Sequence, residues 1–199
     1  MCFWYNIKLK YENFYTGLRV GVSMRSFDRN TFINSVEIRP NNILEGFDNY
    51  NNAIITTEFI TNNEEAENCF IEFFRHIFEV NKNSILDYYG NTLMDEEFSR
   101  MICMLSKDEK DILIKIREKS NNDDIYFKID DMKVLDILVK ISARGILFST
   151  FYIINDGVTI WSNYDYKFVM FFKDKNIIHH YEDIAKKYKL IVKDIKMIV

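Results

Sequence analysis

The 199-residue sequence predicts an α+β protein, with an antiparallel or mixed sheet, helices packed mainly on one face and a helical insertion in the middle third. Three observations support this fold class. Strand-like alternation dominates the N-terminal third, three helical patterns fill the middle, and the final third runs strand, helix, hairpin, strand, helix, strand. Short hairpin connections favour antiparallel pairing over a doubly wound parallel sheet.

Alternating apolar and polar residues predict strands in the N-terminal third. The alternation covers residues 7–10 and 18–24, where Gly17 and Gly21 indicate a bend or a bulge. Residues 53–61 are rich in β-branched side chains and predict a further strand.

Residues 32–38 fit two structures. They fit a short helix capped by Asp28 or Asn30, and they also fit a strand that ends at Pro40, because proline cannot donate to a strand ladder. The sequence leaves this choice open. The neighbouring Asn-rich segments predict loops at residues 41–42 and 48–52.

The middle third begins with the clearest helix. Asn62 or Asn63 caps its start, and Glu64, Glu65 and Glu67 in the first turns interact favourably with the positive end of the helix dipole. One face is apolar throughout, and it is formed by Ala66, Phe70, Phe73, Phe74, Ile77 and Phe78.

Two further helices complete the insertion. One is predicted over residues 94–105. Ser106 followed by Glu109 is a capping-box pattern, and it predicts a helix that continues to about Lys119. A polar loop at residues 120–124 then follows.

The final third alternates between strands and helices. Residues 125–129 predict a strand, Asp130 or Asp131 caps the next helix, and Gly145 stands where a left-handed residue would end it. The Asn-Asp-Gly sequence at residues 155–157 predicts a hairpin turn. The two strands of this hairpin are predicted at residues 146–154 and 158–161.

A strand at residues 167–172, a helix capped by Asp174 and a last strand at residues 190–199 complete the prediction. One α+β domain over residues 1–199 is expected. The loop at residues 120–124 is the candidate for a weak subdivision, but neither half offers enough apolar helical surface to form a core of its own.

Composition limits the classes of function. The chain has 26 Lys and Arg against 30 Asp and Glu, a net charge of -4, so it lacks the basic excess with which proteins bind nucleic-acid phosphates. Three cysteines without a CxxC pair argue against disulfides and cysteine zinc sites. Neither a secretory leader nor a membrane-length apolar run is seen, so a cytoplasmic protein without membrane attachment is expected.

No sequence motif identifies a reaction or a cofactor. GxSxG, GxxxxGK[ST], GxGxxG, HExxH and EF-hand patterns do not occur. His179 and His180 are adjacent, so on a helix they point in different directions, although His179 and Asp183 have the i, i+4 spacing of a ligand pair. We therefore expect no cofactor and no metal ion.

Residues 161–168 are the most distinctive candidate for a binding surface. Aromatic side chains alternate there with polar ones, so on a strand the rings of Tyr164, Tyr166 and Phe168 would share one face. Exposed Tyr and Trp are frequent anchors at protein interfaces. Rings that cover the sheet beneath a helix are the commoner alternative. The candidate partner-binding residues are Trp161, Tyr164, Asp165 and Tyr166, with Glu64, Glu65 and Glu67 as an acidic alternative.

These observations favour a non-enzymatic intracellular binding protein, of the kind represented by bacterial immunity or inhibitor proteins, that occludes a basic partner protein. Its acidic surface would speed encounter and its aromatic anchors would slow release. The alternative is a small metal-dependent hydrolase or nuclease-like enzyme with clustered carboxylates. The carboxylates proposed for such a site are Asp123, Asp124, Asp130 and Asp165. Turns and helix caps are the simpler explanation for the doublets Asp123-Asp124 and Asp130-Asp131.

Overall fold

A computed structural model describes residues 24–58 and 62–198, which form eight strands and seven helices. The strands are β1 (Met24–Ser26), β2 (Asn51–Thr57), β3 (Ile85–Asp87), β4 (Tyr126–Ile129), β5 (Thr150–Ile153), β6 (Val158–Asn163), β7 (Lys167–Phe172) and β8 (Leu190–Lys196). The helices are α1 (Arg29–Ser35), α2 (Ile43–Asn49), α3 (Asn63–Val80), α4 (Asp95–Cys103), α5 (Lys107–Lys119), α6 (Met132–Ala143) and α7 (Ile177–Lys187).

All eight strands belong to one sheet. Their order is β1-β4-β3-β5-β6-β7-β2-β8, and every neighbouring pair is antiparallel. The predicted α+β class is confirmed, with an antiparallel rather than a mixed sheet. Strands on both sides of the loop at residues 120–124 take part in this sheet.

The larger core lies on one face of the sheet. Successive strand residues point to opposite faces, so Phe168, Met170 and Phe172 of β7 face this core whereas Val169 and Phe171 face the other side. The apolar sides of α3, α4, α5, α6 and α7 pack on the same face. The prediction that helices lie mainly on one face is therefore confirmed.

Aromatic contacts join α3 to the middle of the sheet. The ring of Phe74 lies 4.1 Å from that of Phe151 on β5, and the ring of Phe70 lies 4.6 Å from that of Phe168 on β7. All four side chains are fully buried. The predicted apolar face of this helix is thus the face that docks on the sheet.

The short helices α1 and α2 cover the opposite face. Phe32 of α1 stacks on Tyr126 with the ring centroids 3.6 Å apart. Gly46 of α2 lies so close to Phe171 that an added Cβ would overlap the ring, so the helix needs glycine there.

Locally encoded boundaries agree with the sequence. Asn62 caps α3, Ser106 and Glu109 form the capping box of α5, and Asp131 caps α6. Gly145 and Gly157 have φ values of 66° and 60°, as the predicted helix end and hairpin turn require.

Several predictions near the N-terminus change. The open choice at residues 32–38 is settled in favour of a helix only as far as Ser35, where α1 ends, and residues 36–38 form neither a helix nor a strand. The start of α1 is capped by Asp28, which accepts a hydrogen bond from the Thr31 amide at 2.9 Å. The loop predicted at residues 48–52 is wrong, since α2 ends and β2 begins inside it. The strands predicted at residues 7–10 and 18–24 lie outside the described residues except for Met24, as do Gly17 and Gly21.

Three other elements differ from the prediction. The three-residue strand β3 was not predicted. Ile85–Asp87 is buried on both faces and is too short to show the alternation of apolar and polar residues that indicates a strand. β5 begins at Thr150 instead of residue 146. Asn176 rather than Asp174 precedes α7, and the Asp174 side chain accepts a hydrogen bond from the Asn176 amide.

None of the helices within residues 24–58 and 62–198 combines the length and the apolar character needed to cross a membrane.

A buried carboxylate links β3 to β5. Asp87 is 3% exposed, and its oxygens accept hydrogen bonds from the Thr150 amide at 2.5 Å and from the Tyr152 hydroxyl at 3.2 Å. Burial raises the pKa of Asp87 to about 7, and the hydrogen bonds offset only part of that rise.

We expect the free energy of unfolding to fall as pH rises from about 4 to about 7. In that range the folded chain keeps the Asp87 proton that the unfolded chain has lost, so ionisation of Asp87 disfavours folding, by at most about 1.4 kcal/mol per pH unit. Asp87→Asn should remove this contribution. Urea unfolding of both proteins at pH 5, 6, 7 and 8 measures the difference in slope.

Asp183→Asn is the matched control, because Asp183 is an exposed carboxylate on α7. Its stability should follow the wild-type pH dependence. If Asp87→Asn keeps the wild-type slope as well, Asp87 does not titrate in this range.

Candidate functional site

A cleft of about 590 Å³ opens where three segments meet. These segments are the first turns of α3, the end of α6 and the tip of the hairpin between β6 and β7. The cleft is lined by Asn62, Asn63, Glu64, Glu67, Ala143, Arg144, Gly145, Tyr164, Asp165 and Tyr166.

The start of α3 places one carboxylate at the rim and one inside the protein. The Asn62 side chain accepts a hydrogen bond from the Glu64 amide at 2.9 Å, which fixes the first turn and leaves the Glu64 side chain exposed. Glu67 lies on the apolar face of α3, three residues before Phe70. Its side chain is therefore only 5% exposed.

The buried Glu67 carboxylate is neutralised by Arg144. The Arg144 Nε donates to Glu67 Oε1 at 2.6 Å and Nη2 donates to Oε2 at 2.9 Å, which is a bidentate ion pair. These hydrogen bonds and the charge of Glu67 raise the pKa of Arg144. A buried carboxylate without such a partner would be strongly destabilising.

The end of α6 aims Arg144 at this carboxylate. Arg144 is the C-cap residue, where a positive charge interacts favourably with the helix dipole, and Gly145 turns the chain away with φ +66°. The Arg144 side chain remains 32% exposed and forms part of the cleft wall.

The hairpin tip has an unusual backbone. Asp165 and Tyr166 both have left-handed φ values, 59° and 53°, which cost energy in residues other than glycine. The Tyr166 hydroxyl donates to Glu67 Oε1 at 3.4 Å and so ties the tip to α3. Burial, with the negative charge of Glu67, raises the pKa of Tyr166, so this hydroxyl keeps its proton at neutral pH.

Two side chains of the tip face solvent. Tyr164 is 65% exposed, although its ring contacts Phe148 edge to face with the centroids 4.8 Å apart. The Asp165 side chain is 81% exposed and lies 3.6 Å from the Lys167 ammonium group. The tip therefore presents a supported aromatic ring beside a solvated carboxylate.

The structure brings five of the seven candidate residues to one cleft. They come from two segments that are far apart in the sequence, and they are Glu64, Glu67, Tyr164, Asp165 and Tyr166. Trp161 does not join them, because it packs with Ile38, Val169 and Phe171 on the opposite face of the sheet. Glu65 points elsewhere, to an ion pair with Lys189 at 3.0 Å.

The prediction that the rings of Tyr164, Tyr166 and Phe168 share one face of a strand is wrong. Tyr164 and Tyr166 lie in the turn between β6 and β7, and only Phe168 lies on a strand. The alternative in which the rings cover the sheet applies to Phe168, which packs under α3.

Arg144 is the site residue that sequence reasoning missed. A signal for it existed, because Glu67 lies on the same helical stripe as Phe70 and Phe74, and a carboxylate on a buried stripe requires a cationic partner. The sequence offers no means of choosing that partner among 26 Lys and Arg.

The charged side chains of the cleft are unevenly distributed. Three carboxylates, those of Glu64, Glu67 and Asp165, face one guanidinium, that of Arg144, which gives a net charge of -2 for the lining. Glu67 and Arg144 neutralise each other inside, so the negative charge resides at the rim. Lys167 offsets a part of it beside Asp165.

Three of the carboxylates considered for a metal centre interact with separate partners. Asp130 pairs with Arg25, Asp124 accepts a hydrogen bond from the Asn121 amide, and Asp131 caps α6. Within the part of the chain that the structure describes, no three His, Cys, Asp or Glu side chains are grouped to hold a metal ion. His179 contacts Glu182 rather than Asp183.

No protein-family model, curated protein or solved structure is significantly similar to this chain.

We expect Arg144→Met to lower the free energy of unfolding by about 3–5 kcal/mol, toward the lower end because Arg144 is partly exposed. The loss arises because Glu67 would remain buried without its counter-charge. Adding Glu67→Gln to Arg144→Met should recover part of it, since no charge then stays buried. Denaturant unfolding at pH 7 measures all three proteins.

Lys173→Met supplies the control, because Lys173 forms an ion pair with Glu37 in which both side chains are more than half exposed. Its cost should be at most about 1 kcal/mol. Equal losses for the two methionine variants would show that burial does not determine the importance of the Glu67–Arg144 pair.

Proposed function

We propose that this chain is a binding protein of the immunity or inhibitor type, which occludes a basic partner protein with the cleft and the hairpin tip. One observation carries the proposal. Two candidate segments that are distant in the sequence meet around one cleft, where an exposed tyrosine stands beside exposed carboxylates.

The geometry of the tip supports a role in binding. Tyrosine gives a large contact area at small entropic cost, and Tyr164 is already held in place by Phe148. The bonds among Tyr166, Glu67 and Arg144 fix the base of the tip. A surface that is ordered before the partner arrives loses less entropy on binding.

The charge of the molecule supports a basic partner. The chain carries a net charge of -4. Two of its carboxylates, those of Glu64 and Asp165, lie at the rim of the cleft. Such a surface accelerates encounter with a positively charged protein, and this effect weakens as salt screens it.

Selection from a random peptide library displayed on phage tests the proposal. We expect selected peptides to be rich in Lys and Arg. Tyr164→Ala should weaken their binding by at least tenfold, as for an interface anchor, and Glu64→Gln or Asp165→Asn by two- to fivefold, as for rim charges. Fluorescence anisotropy with synthetic copies of the selected peptides, in 50 mM and 500 mM NaCl, measures each affinity.

Glu118→Gln is the matched control for charge, because Glu118 is an exposed carboxylate on α5 that does not line the cleft. It should bind the peptides as the wild type does. Selection of acidic or neutral peptides, or equal binding by the wild type and Tyr164→Ala, would contradict the proposal.

A further inference from the structure

We propose that the cleft receives one arginine side chain of the basic partner, with its guanidinium bound by the carboxylates of Glu64 and Asp165 and stacked on the ring of Tyr164. This inference rests on the proposed function and specifies the chemical group that the cleft recognises.

The charge of the lining selects a cation. Arg144 is the cationic side chain of the cleft wall, and its Nε and Nη2 atoms are both bound to the buried Glu67. An incoming anion would therefore meet a guanidinium that is already neutralised, together with two rim carboxylates that repel it. A cation is attracted by those two carboxylates, although that of Asp165 also lies 3.6 Å from the Lys167 ammonium group.

The size and polarity of the cleft select a long side chain with a polar end. A volume of about 590 Å³ lies within the range of pockets that enclose small ligands, so it accommodates a whole side chain rather than one rim contact. Most lining residues carry polar groups. A purely apolar anchor would leave those groups without partners, which makes it a poor occupant.

The arrangement of acceptors favours arginine over lysine. A guanidinium presents five N–H donors in one plane, so it can bond to carboxylates from α3 and from the hairpin tip while its flat face lies on an aromatic ring. Tyr164, which is 65% exposed, lines the same cleft as those carboxylates and offers such a ring. An ammonium group is a point charge and does not stack in this way.

NMR titration of the uniformly ¹⁵N-labelled full chain tests this inference. The probes are N-acetyl-arginine amide, N-acetyl-lysine amide and the uncharged N-acetyl-citrulline amide, each added to tens of millimolar. We expect saturable shifts of the amides of Gly145, Tyr164, Asp165 and Tyr166 with the arginine probe. The lysine probe should bind at least threefold more weakly, and the citrulline probe should not saturate.

Two variants separate stacking from charge. Tyr164→Leu keeps an apolar side chain but removes the ring, so it should weaken arginine binding three- to fivefold and lysine binding by a smaller factor, because the ammonium group loses a cation–π contact but no stacking. Asp165→Asn should weaken both probes. Glu118→Gln should bind both as the wild type does.

Equal affinity for arginine and lysine, or shifts that lie away from the cleft, would overturn the arginine assignment. Its failure is distinguishable from failure of the proposed function. Basic peptides that bind through Tyr164 without any requirement for arginine would refute the arginine assignment alone. Saturable arginine binding together with no selection of basic peptides would refute the proposed function and leave the cleft as a guanidinium site.

Discussion

The docking of α3 on the sheet is the constraint on which the rest of the structure depends. Phe70 packs against Phe168 of β7 in the core, and one turn earlier on the same helix Glu67 reaches Tyr166, which lies just before β7. The contact in the core, between Phe70 and Phe168, and the contact at the cleft, between Glu67 and Tyr166, are therefore neighbours along α3 and along the hairpin. A shift of α3 by one residue would move its apolar stripe off the sheet and withdraw Glu67 from Arg144.

The ion pair between Glu67 and Arg144 has more effect on position than on net stability. Removing two charges from water costs about as much as their attraction returns, so such a pair stabilises a fold little compared with apolar residues of the same size. It does reject arrangements in which either charge is left alone. Because Tyr166 bonds to the same carboxylate, the pair fixes α3, α6 and the hairpin tip in one relative position.

Strain and charge are concentrated at the same place. Asp165 and Tyr166 hold left-handed backbone conformations at the tip, and neighbouring Tyr164 remains exposed although it is aromatic. Local strain of this kind persists only where the surroundings enforce it, and it is frequent at functional sites. The inner ion pair is electrically neutral, so the negative rim carboxylates dominate what an approaching partner meets.

The sequence by itself determined the elements whose signals are local. The capping box of α5, the Asn62 cap of α3 and the glycine turn before β6 depend on residues within a few positions of one another. Tertiary structure alone decided the short elements α2 and β3 and the composition of the cleft. Arg144 lies 77 positions from Glu67, and Tyr166 lies 99 positions from it. Contacts over such separations depend on how helices dock on the sheet, and no periodicity within one segment contains that information.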